Sequence, residues 1–183
     1  MSLVWLVRHG EAAASWGEHA DPGLSDTGYR QAEAAADALQ ECLPGGVEVV
    51  SSPKARALET AAPLASRLKC GVQIVDAFRE IDAPVPLADR QAWLRGFMKQ
   101  TWDQQGDPLW QWRGDIIAAL QALTVPTVVF THFLVINTVV AHCRREQETV
   151  QCWPDNGSIH HFECGGTELS VVRLGQEMRT VVN

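Results

Sequence analysis

An arginine and a histidine directly follow the first apolar run of the chain. Residues 3–7 are all apolar, and Arg8 and His9 come next, within the tetrapeptide RHGE. In open α/β sheets, ligands bind beyond the carboxyl ends of the strands. A strand that ends here would therefore place an imidazole nucleophile beside a guanidinium that binds anions. The tetrapeptide is equally typical of a solvated loop, so its meaning depends on what the other strand ends carry.

A second polar group, SSPKAR, follows the apolar run of residues 47–50. Ser52 is a suitable N-cap and Pro53 a suitable first residue for the helix that the following residues predict. Lys54 and Arg56 then fall in the first helical turn, where the helix dipole favours anions and disfavours cations. An anion held by the helix N-terminus and the guanidinium would account for this placement. A carboxylate partner for Arg56 is the alternative explanation.

Two further strand ends add a carboxylic acid and a second histidine. The strand-like residues 72–75 are soon followed by Glu80 in the segment FREID, and residues 125–130 lead to His132 in the segment THF. The four strand ends thus carry two arginines, two histidines and a carboxyl group. Two guanidinium and two imidazole groups around one point suit a phosphoryl group, and a nearby carboxylic acid can protonate a leaving oxygen.

The blocks RHGE, LSDTGYRQAE, SSPKARALETA, FREID and THF occur in this order along the chain. In that order and spacing they resemble the histidine phosphatase superfamily, also called phosphoglycerate-mutase-like, from residue 3 to about residue 140. The FREID segment is most similar to the fructose-bisphosphatase branch. The resemblance implies five catalytic residues: the phosphorylated nucleophile His9, the phosphate clamps Arg8 and Arg56, the further pocket ligand His132 and the proton donor Glu80.

The residue types indicate how such a site would work. A neutral imidazole nitrogen of His9 would attack phosphorus in line, and water would hydrolyse the resulting phosphohistidine. Glu80 would protonate the departing oxygen, with Asp82, two residues further on, as the alternative acid. Because His9 must be neutral while the acid is protonated, the rate maximum is expected on the mildly acidic side. Arginines and histidines supply the positive charge, so the sequence predicts neither a metal nor another cofactor.

Three positions depart from the pattern of the family: Pro84, where the closest branch tends to have glycine, and two positions that concern phosphate binding. Phe133 follows the second histidine, where the family commonly has a glycine. Ser15 stands six residues after the nucleophile, where some members have an asparagine that helps to bind phosphate. We expect both residues to contact the substrate, and we expect the departures to affect substrate choice more than catalysis.

The composition predicts one globular domain that spans residues 1–183. The hydrophobic fraction of 46% and the charged fraction of 20% are ordinary for such a domain. The net charge of −7 argues against nucleic acid or an anionic membrane as a partner. The N-terminus has no basic region of a secretory signal, and no apolar stretch is long enough to span a bilayer. Phosphate and a small phosphomonoester are the expected partners. The sequence does not indicate the oligomeric state.

The cysteines and the remaining histidines favour a reduced protein without a metal site. The five cysteines are scattered and odd in number, as expected of free thiols in a cytoplasmic protein. His160 and His161 belong to a strand-like segment, so their side chains point to opposite faces and do not suit one metal ion.

Strands and helices alternate along the chain, which predicts an α/β fold. The expected architecture is a three-layer αβα sandwich with a mainly parallel central sheet and a small helical cap insertion. Asp26 or Thr27 is the expected cap of the first helix. The predicted helices are residues 27–42, 53–68, 109–123 and 133–143, and the predicted late strands are residues 158–163, 168–173 and 178–182.

The segment of residues 82–112 is the expected cap insertion. It follows the acid, begins irregularly and contains four of the seven tryptophans. In the family that the chain resembles, an insertion at this point often covers the pocket. We expect Trp93 and Trp102 to be candidates for contact with a flat or apolar part of the substrate. The alternative is that these rings only pack the cap onto the body.

The leading interpretation is a metal-independent phosphatase that hydrolyses small phosphomonoesters through a phosphohistidine on His9. Three alternatives stay open at this point. One is a phosphoryl transferase of the phosphoglycerate-mutase type, and another is a protein phosphohistidine phosphatase. The third is an inactive phosphate-binding module on the same fold. The sequence does not identify the phosphoester.

Overall fold

The computed structural model describes residues 1–14 and 19–179. Within them, six strands form one sheet, and five α-helices and three short 3-10 turns accompany it. The strands are β1 (Ser2–Arg8), β2 (Glu48–Ser51), β3 (Val72–Ile74), β4 (Thr127–Thr131), β5 (Ile159–Gly165) and β6 (Glu168–Arg173). The helices are α1 (Asp26–Cys42), α2 (Ala55–Leu68), α3 (Arg90–Phe97), α4 (Asp107–Gln121) and α5 (Phe133–Arg144).

The sheet has the strand order β3-β2-β4-β1-β5-β6. The first four of these strands are parallel, whereas β5 and β6 are antiparallel additions at one edge. The predicted α/β class with a mainly parallel sheet is therefore confirmed. Arg8 at the end of β1 pairs with Thr131 at the end of β4, and Ser51 of β2 pairs with Phe130. Because the three strands end at the same level, the residues that follow them meet at one edge of the sheet.

Alternate side chains of β1 serve the two faces of the sheet, as the period of two in a strand requires. Val4 and Leu6 belong to the apolar cluster that contains residues of α4 and α5. Trp5 and Val7 belong to the cluster on the opposite face, which contains residues of α1 and α2. All four side chains are buried. The strand that leads to the RHGE motif is thus held between two hydrophobic layers, a rigid support for the residues that follow it.

Three local predictions are wrong. The cap of α1 is Ser25, whose hydroxyl accepts a hydrogen bond from the Gly28 N–H, and not Asp26 or Thr27. Helix α2 begins at Ala55, so Ser52 is not its N-cap and Pro53 is not its first residue. Residues 178 and 179 of the predicted last strand are not in a strand, and residues 180–182 lie outside the described part of the chain.

The segment of residues 82–112 contains α3, two of the 3-10 turns and the start of α4. It forms a third apolar cluster with α5 and with the acid segment, which is the FREID stretch of residues 78–82 around Glu80. The cluster joins Leu94, Phe97 and Trp102 of the segment to Ile81 and to Phe133, Leu134 and Ala141. The Trp102 side chain is completely buried, with Phe97 edge-on at 5.9 Å. Contact between Trp102 and a substrate does not fit this placement, because the ring has no free surface.

Trp102→Ala is expected to destabilise the protein by about 3–5 kcal/mol, because the substitution empties a fully buried aromatic site. Urea unfolding followed by circular dichroism measures this loss. Trp110→Ala is the matched control: this ring packs 5.5 Å from Trp102 but is 42% exposed, so a clearly smaller loss is expected. Equal losses in the two variants would show that Trp102 does not anchor this cluster.

Candidate active site

His9 follows β1 and is held by backbone and side-chain hydrogen bonds. Its N–H donates to the Thr131 carbonyl at 3.0 Å, and its carbonyl accepts from Asn156 Nδ2 at 3.1 Å. The imidazole Nδ1 lies 2.7 Å from the Gly10 carbonyl, and Arg56 Nε donates to Nε2 at 3.1 Å. A carbonyl can only accept, so Nδ1 carries the proton and Nε2 keeps its lone pair. Nε2 is therefore the nitrogen available for nucleophilic attack.

Two glycines of the sequence motifs allow this loop to pack closely. A Cβ atom on Gly10 would lie 2.5 Å from the carbonyl oxygen of Gly28 in α1. The Gly10 N–H donates to Thr60 Oγ1 at 2.9 Å, and that hydroxyl donates to the Arg56 carbonyl at 2.6 Å. The backbone after His9 is thus held between α1 and α2, which explains why glycine stands directly after this histidine.

The environment of His9 keeps its imidazole neutral. Burial lowers the pKa of His9 well below its ordinary value, and the positive charges of Arg56 and Arg8 lower it further. The hydrogen bond to Gly10 opposes this effect but does not outweigh it. Neutral imidazole is the form that a nucleophile requires, so the electrostatics and the hydrogen bonds favour the same state.

Arg8 is fixed along one side of its guanidinium. Nη1 donates to the Pro154 carbonyl at 2.7 Å and lies 3.4 Å from Met178 Sδ. The guanidinium carbon lies 5.3 Å from the centre of the Phe133 ring, a cation–π contact. Nε is buried and has no hydrogen-bond partner among the described residues. This leaves one oriented donor free for an anion.

Arg56 lies in the first turn of α2 and is also buried. Burial is the main cause that lowers the pKa of its guanidinium. The charge of Arg90, at the start of α3, lowers that pKa as well, while Glu80 raises it. An arginine stays protonated despite such shifts. The contribution of Arg90 shows that the segment of residues 82–112 brings positive charge to the site.

His132 lies directly before α5 and faces the same point. Its Nε2 lies 2.7 Å from Ser52 Oγ, and its ring centre lies 5.2 Å from that of His9. Nδ1 is buried and has no partner in the described part of the chain. Burial lowers the pKa of His132 well below its ordinary value, with His9 and Arg56 as further causes. Ser52 thus orients His132, and its hydroxyl also accepts from the Lys54 N–H at 3.2 Å, directly before α2 begins.

Glu80 is buried beside these groups. Oε2 accepts from the Leu134 N–H and Oε1 from the Ile81 N–H, each at 3.1 Å. Burial raises the pKa of Glu80 above its ordinary value, although these hydrogen bonds and the nearby arginines act in the opposite direction. Asp82, the alternative acid, is exposed. A buried carboxyl group with a raised pKa is the better proton donor.

The five residues with predicted catalytic roles therefore come together at the carboxyl edge of the sheet. Arg8 Nε and His132 Nδ1 are buried polar atoms without a partner among the described residues, and Arg56 binds the nucleophile. Buried polar atoms are normally hydrogen-bonded, so unpaired ones around a nucleophile mark a place for a ligand. The charges and donors of this group are complementary to a phosphoryl group.

The predicted substrate-binding residues have different positions. Ser15 lies outside the described residues. Phe133 is buried between Arg8 and Trp153, and the centre of its ring lies 5.4 Å from that of the Trp153 ring. Its side chain therefore supports the Arg8 guanidinium. Trp93 is half-buried and stacks on Phe97 at 5.4 Å. It keeps some free surface, in contrast to Trp102.

The sequence analysis missed several residues that hold the site together. Asn156 binds the His9 carbonyl, Thr60 binds the Gly10 N–H, and Trp112 donates its indole N–H to the Arg79 carbonyl next to Glu80. Asn156 lies in a polar turn, Thr60 inside a helix and Trp112 on an apolar helical face. Each reads as an ordinary structural residue in the sequence, so no local signal pointed to the site.

The structure also describes the cysteines, the possible metal-ligating side chains and the lengths of the helices. All five cysteines are free thiols. Residues 1–14 and 19–179 contain no group of three or more histidine, cysteine, aspartate or glutamate side chains that could hold a metal ion. None of the described helices is long and apolar enough to cross a membrane.

Comparison with protein families identifies a match over nearly the whole chain. The description of the matching family is histidine phosphatase superfamily, branch 1, and the match covers residues 4–177. A comparison with curated protein sequences gives no match.

Several solved structures have a similar fold at low sequence identity. Phosphoserine phosphatase from Entamoeba histolytica, in complex with 3-phosphoglyceric acid, has a TM-score of 0.73 at 19% identity and covers 97% of this chain and 98% of its own. Mycobacterial glucosyl-3-phosphoglycerate phosphatase with VO3 has a TM-score of 0.71 at 20% identity, with 97% and 100% covered. YhfR from Bacillus stearothermophilus has a TM-score of 0.74 at 18% identity, with 94% and 96% covered.

Proposed function

Because the chain belongs to the histidine phosphatase superfamily, we propose that it is a metal-independent phosphatase that acts on small phosphomonoesters through a phosphohistidine on His9. One observation carries this proposal. The neutral Nε2 of His9 lies at a buried point where Arg56 donates to it and where Arg8 Nε and His132 Nδ1 have no protein partner among the described residues. A phosphoryl group would satisfy these donors and place phosphorus next to the nucleophile.

In the first step, Nε2 of His9 attacks phosphorus, and the bond between phosphorus and the ester oxygen breaks. Glu80 transfers its proton to that oxygen, so the product leaves as an alcohol. In the second step, a water molecule attacks the phosphohistidine while the Glu80 carboxylate accepts its proton. The phosphorus–nitrogen bond breaks, inorganic phosphate leaves, and both residues return to their starting states.

The guanidinium groups stabilise the charge that develops on the three equatorial oxygens. Arg8 is already oriented by Pro154 and Phe133, and Arg56 by its contact with His9. Such preorganised donors need no rearrangement during the reaction, and this is the source of their effect. His132, held by Ser52, adds a further ligand for the phosphoryl group.

The segment of residues 82–112 acts in this proposal as a cap of a single domain. Its Arg90 contributes positive charge near Arg56, and Trp93 offers the partly free aromatic surface that a substrate could contact. Structures of similar fold include enzymes named for phosphoserine and for glucosyl-3-phosphoglycerate, which are small phosphomonoesters. These observations support a small-molecule substrate. Five unpaired thiols and a net charge of −7 favour the cytoplasm and argue against nucleic acid.

The proposal is tested by phosphate release from a panel of phosphorylated metabolites and one aryl phosphate, with all divalent metals chelated. We expect release from at least one metabolite and from the aryl phosphate without added metal. Rapid acid-free quenching should also yield a phosphoenzyme that is stable in alkali and labile in acid, as phosphohistidine is. Transfer of the phosphoryl group to a second metabolite instead of water would contradict the proposal in favour of a mutase. Release from phosphorylated proteins alone, or from nothing, would also contradict it.

A further inference from the structure

Trp112 of α4, the last residue of the predicted cap segment, is hydrogen-bonded to the peptide group that precedes Glu80. The indole Nε1–H of Trp112 donates to the carbonyl oxygen of Arg79 at 3.1 Å. That carbonyl belongs to the peptide group whose nitrogen is the nitrogen of Glu80. Because a peptide group is planar, a donor that fixes the carbonyl of Arg79 also fixes the direction in which the chain enters Glu80.

A second donor holds the preceding peptide group. Thr131, the last residue of β4, donates its hydroxyl to the Phe78 carbonyl at 2.8 Å. Two successive peptide groups before Glu80 are thus held by side chains, one from the central sheet and one from α4. After Glu80, the carboxylate itself is held by the N–H groups of Ile81 and Leu134. Of these donors, only Trp112 comes from the predicted cap segment.

The hydrogen bond between Trp112 and Arg79 lies beside a cavity. A cavity of about 250 Å³ lies between the acid segment and α4. Its lining includes Glu80, Trp112, Arg79, Asp82 and Asp115. Phe78 shares an apolar cluster with Ile116 of α4, but next to Arg79 and Glu80 the cavity interrupts the packing, and a segment next to an open space can shift. The hydrogen bond of Trp112 spans the two elements where packing is incomplete.

We infer that Trp112 is a positioning residue for the general acid: its indole N–H keeps the Arg79–Glu80 peptide group in place, so that the Glu80 carboxyl group meets the leaving oxygen. The inference rests on the proposed function, since it assigns Trp112 a role in the same reaction. Trp112 itself does not touch the reacting atoms. Its effect is limited to the proton transfers to and from Glu80.

Trp112→Phe removes the indole N–H and keeps an aromatic ring at the position. We expect kcat for an alkyl phosphate to fall about 10- to 100-fold, since a misplacement of about 1 Å at a catalytic group has effects of this size. An aryl phosphate with a good leaving group needs no proton from Glu80 for the first step, so its phosphorylation rate should stay within about 2-fold of wild type. Single-turnover measurements give this rate for both esters.

Trp110→Phe is the matched control on the same helix. The Trp110 ring packs against Trp102 and is 42% exposed. The guanidinium carbon of Arg113 lies 4.9 Å from the centre of the Trp110 ring. This variant should hydrolyse both esters like wild type. If Trp112→Phe slows the two esters equally, or slows neither, the positioning role is wrong. An equal loss would mean that the residue only supports the fold.

A second measurement does not depend on activity. The Glu80 carboxyl carbon can be followed by ¹³C NMR during a pH titration and assigned by its disappearance in Glu80→Gln. Burial raises the pKa of Glu80, so a loosened segment should lower that pKa toward its ordinary value in Trp112→Phe but not in Trp110→Phe. An unchanged pKa in Trp112→Phe would overturn the inference. If wild type hydrolyses neither ester, the proposed function fails, and this titration still decides whether Trp112 positions Glu80.

Discussion

His9→Ala is expected to lower phosphate release from every phosphomonoester by at least about 10⁴-fold, because loss of a nucleophile removes the whole covalent pathway. Nε2 of His9 is the nitrogen that accepts from Arg56, and no other described imidazole combines a neutral state with this contact. The methyl group of alanine cannot attack phosphorus. The measurement is single-turnover release of phosphate from an aryl ester, for which no other group has to donate a proton.

The control for this variant is His142→Ala. His142 lies in the last turn of α5, whereas the active site lies at the first turn of that helix. Its removal is expected to leave the rate within about 2-fold of wild type, as for a substitution away from the site. Phosphate release in His9→Ala within about 10-fold of wild type would assign the nucleophile to another residue. The phosphoenzyme should disappear together with the activity.

Glu80→Gln is expected to slow the hydrolysis of alkyl phosphates by about 10²–10⁴-fold, the usual contribution of a general acid. Glutamine has the same shape, and its carbonyl oxygen can still accept from one of the two N–H groups, of Leu134 and Ile81, that bind the Glu80 oxygens. It cannot give up a proton to the leaving oxygen. With an aryl phosphate, phosphorylation of His9 should be affected far less. Asp82→Asn is the matched control, and a larger loss in that variant would make Asp82 the acid.

The pH dependence of kcat/KM follows from the same two groups. The pKa of His9 is lowered, so its imidazole becomes neutral, and the rate rises, at a lower pH than for an ordinary histidine. The pKa of Glu80 is raised, so the rate falls, through loss of the proton, at a higher pH than for an ordinary glutamate. The two shifts widen the range in which both groups are in their active forms, with the maximum on the acidic side of neutrality. In Glu80→Gln the falling limb should disappear.

Much of the site was predictable because its residues lie at the ends of strands or soon after them. Arg8 is the last residue of β1, His9 and His132 come directly after β1 and β4, and parallel strands place their carboxyl ends at one edge whatever the details of packing. Glu80 and Arg56 follow soon after two further strands. The residue types then indicate the chemistry, since two arginines and two histidines suit a phosphoryl group and a carboxylic acid can protonate a leaving oxygen. Strand periodicity and residue type are local properties, and a sequence displays them directly.

The helix caps show where local rules were insufficient. Ser52 satisfies the rules for an N-cap, but its hydroxyl is the partner of His132, 80 positions along the chain. Ser25 caps α1 in place of Asp26 or Thr27, and its hydroxyl also donates to Glu11 in the loop after the nucleophile. Each hydroxyl contacts a distant residue as well as a nearby backbone N–H group. The distant contacts exist only after folding, so the rules for caps do not predict them.

The tryptophans of the cap show the same limit for side chains. The sequence by itself determined that the segment after Glu80 is rich in aromatic residues and that Trp112 lies on the apolar face of α4 with Ile116 and Leu120. Only the tertiary structure decided that the Trp102 ring is fully buried and that the Trp112 indole N–H donates to the Arg79 carbonyl. The spacing of residues determines which face of a helix is apolar. What that face meets depends on how the helix is docked and rotated, and these are set by the packing of the whole chain.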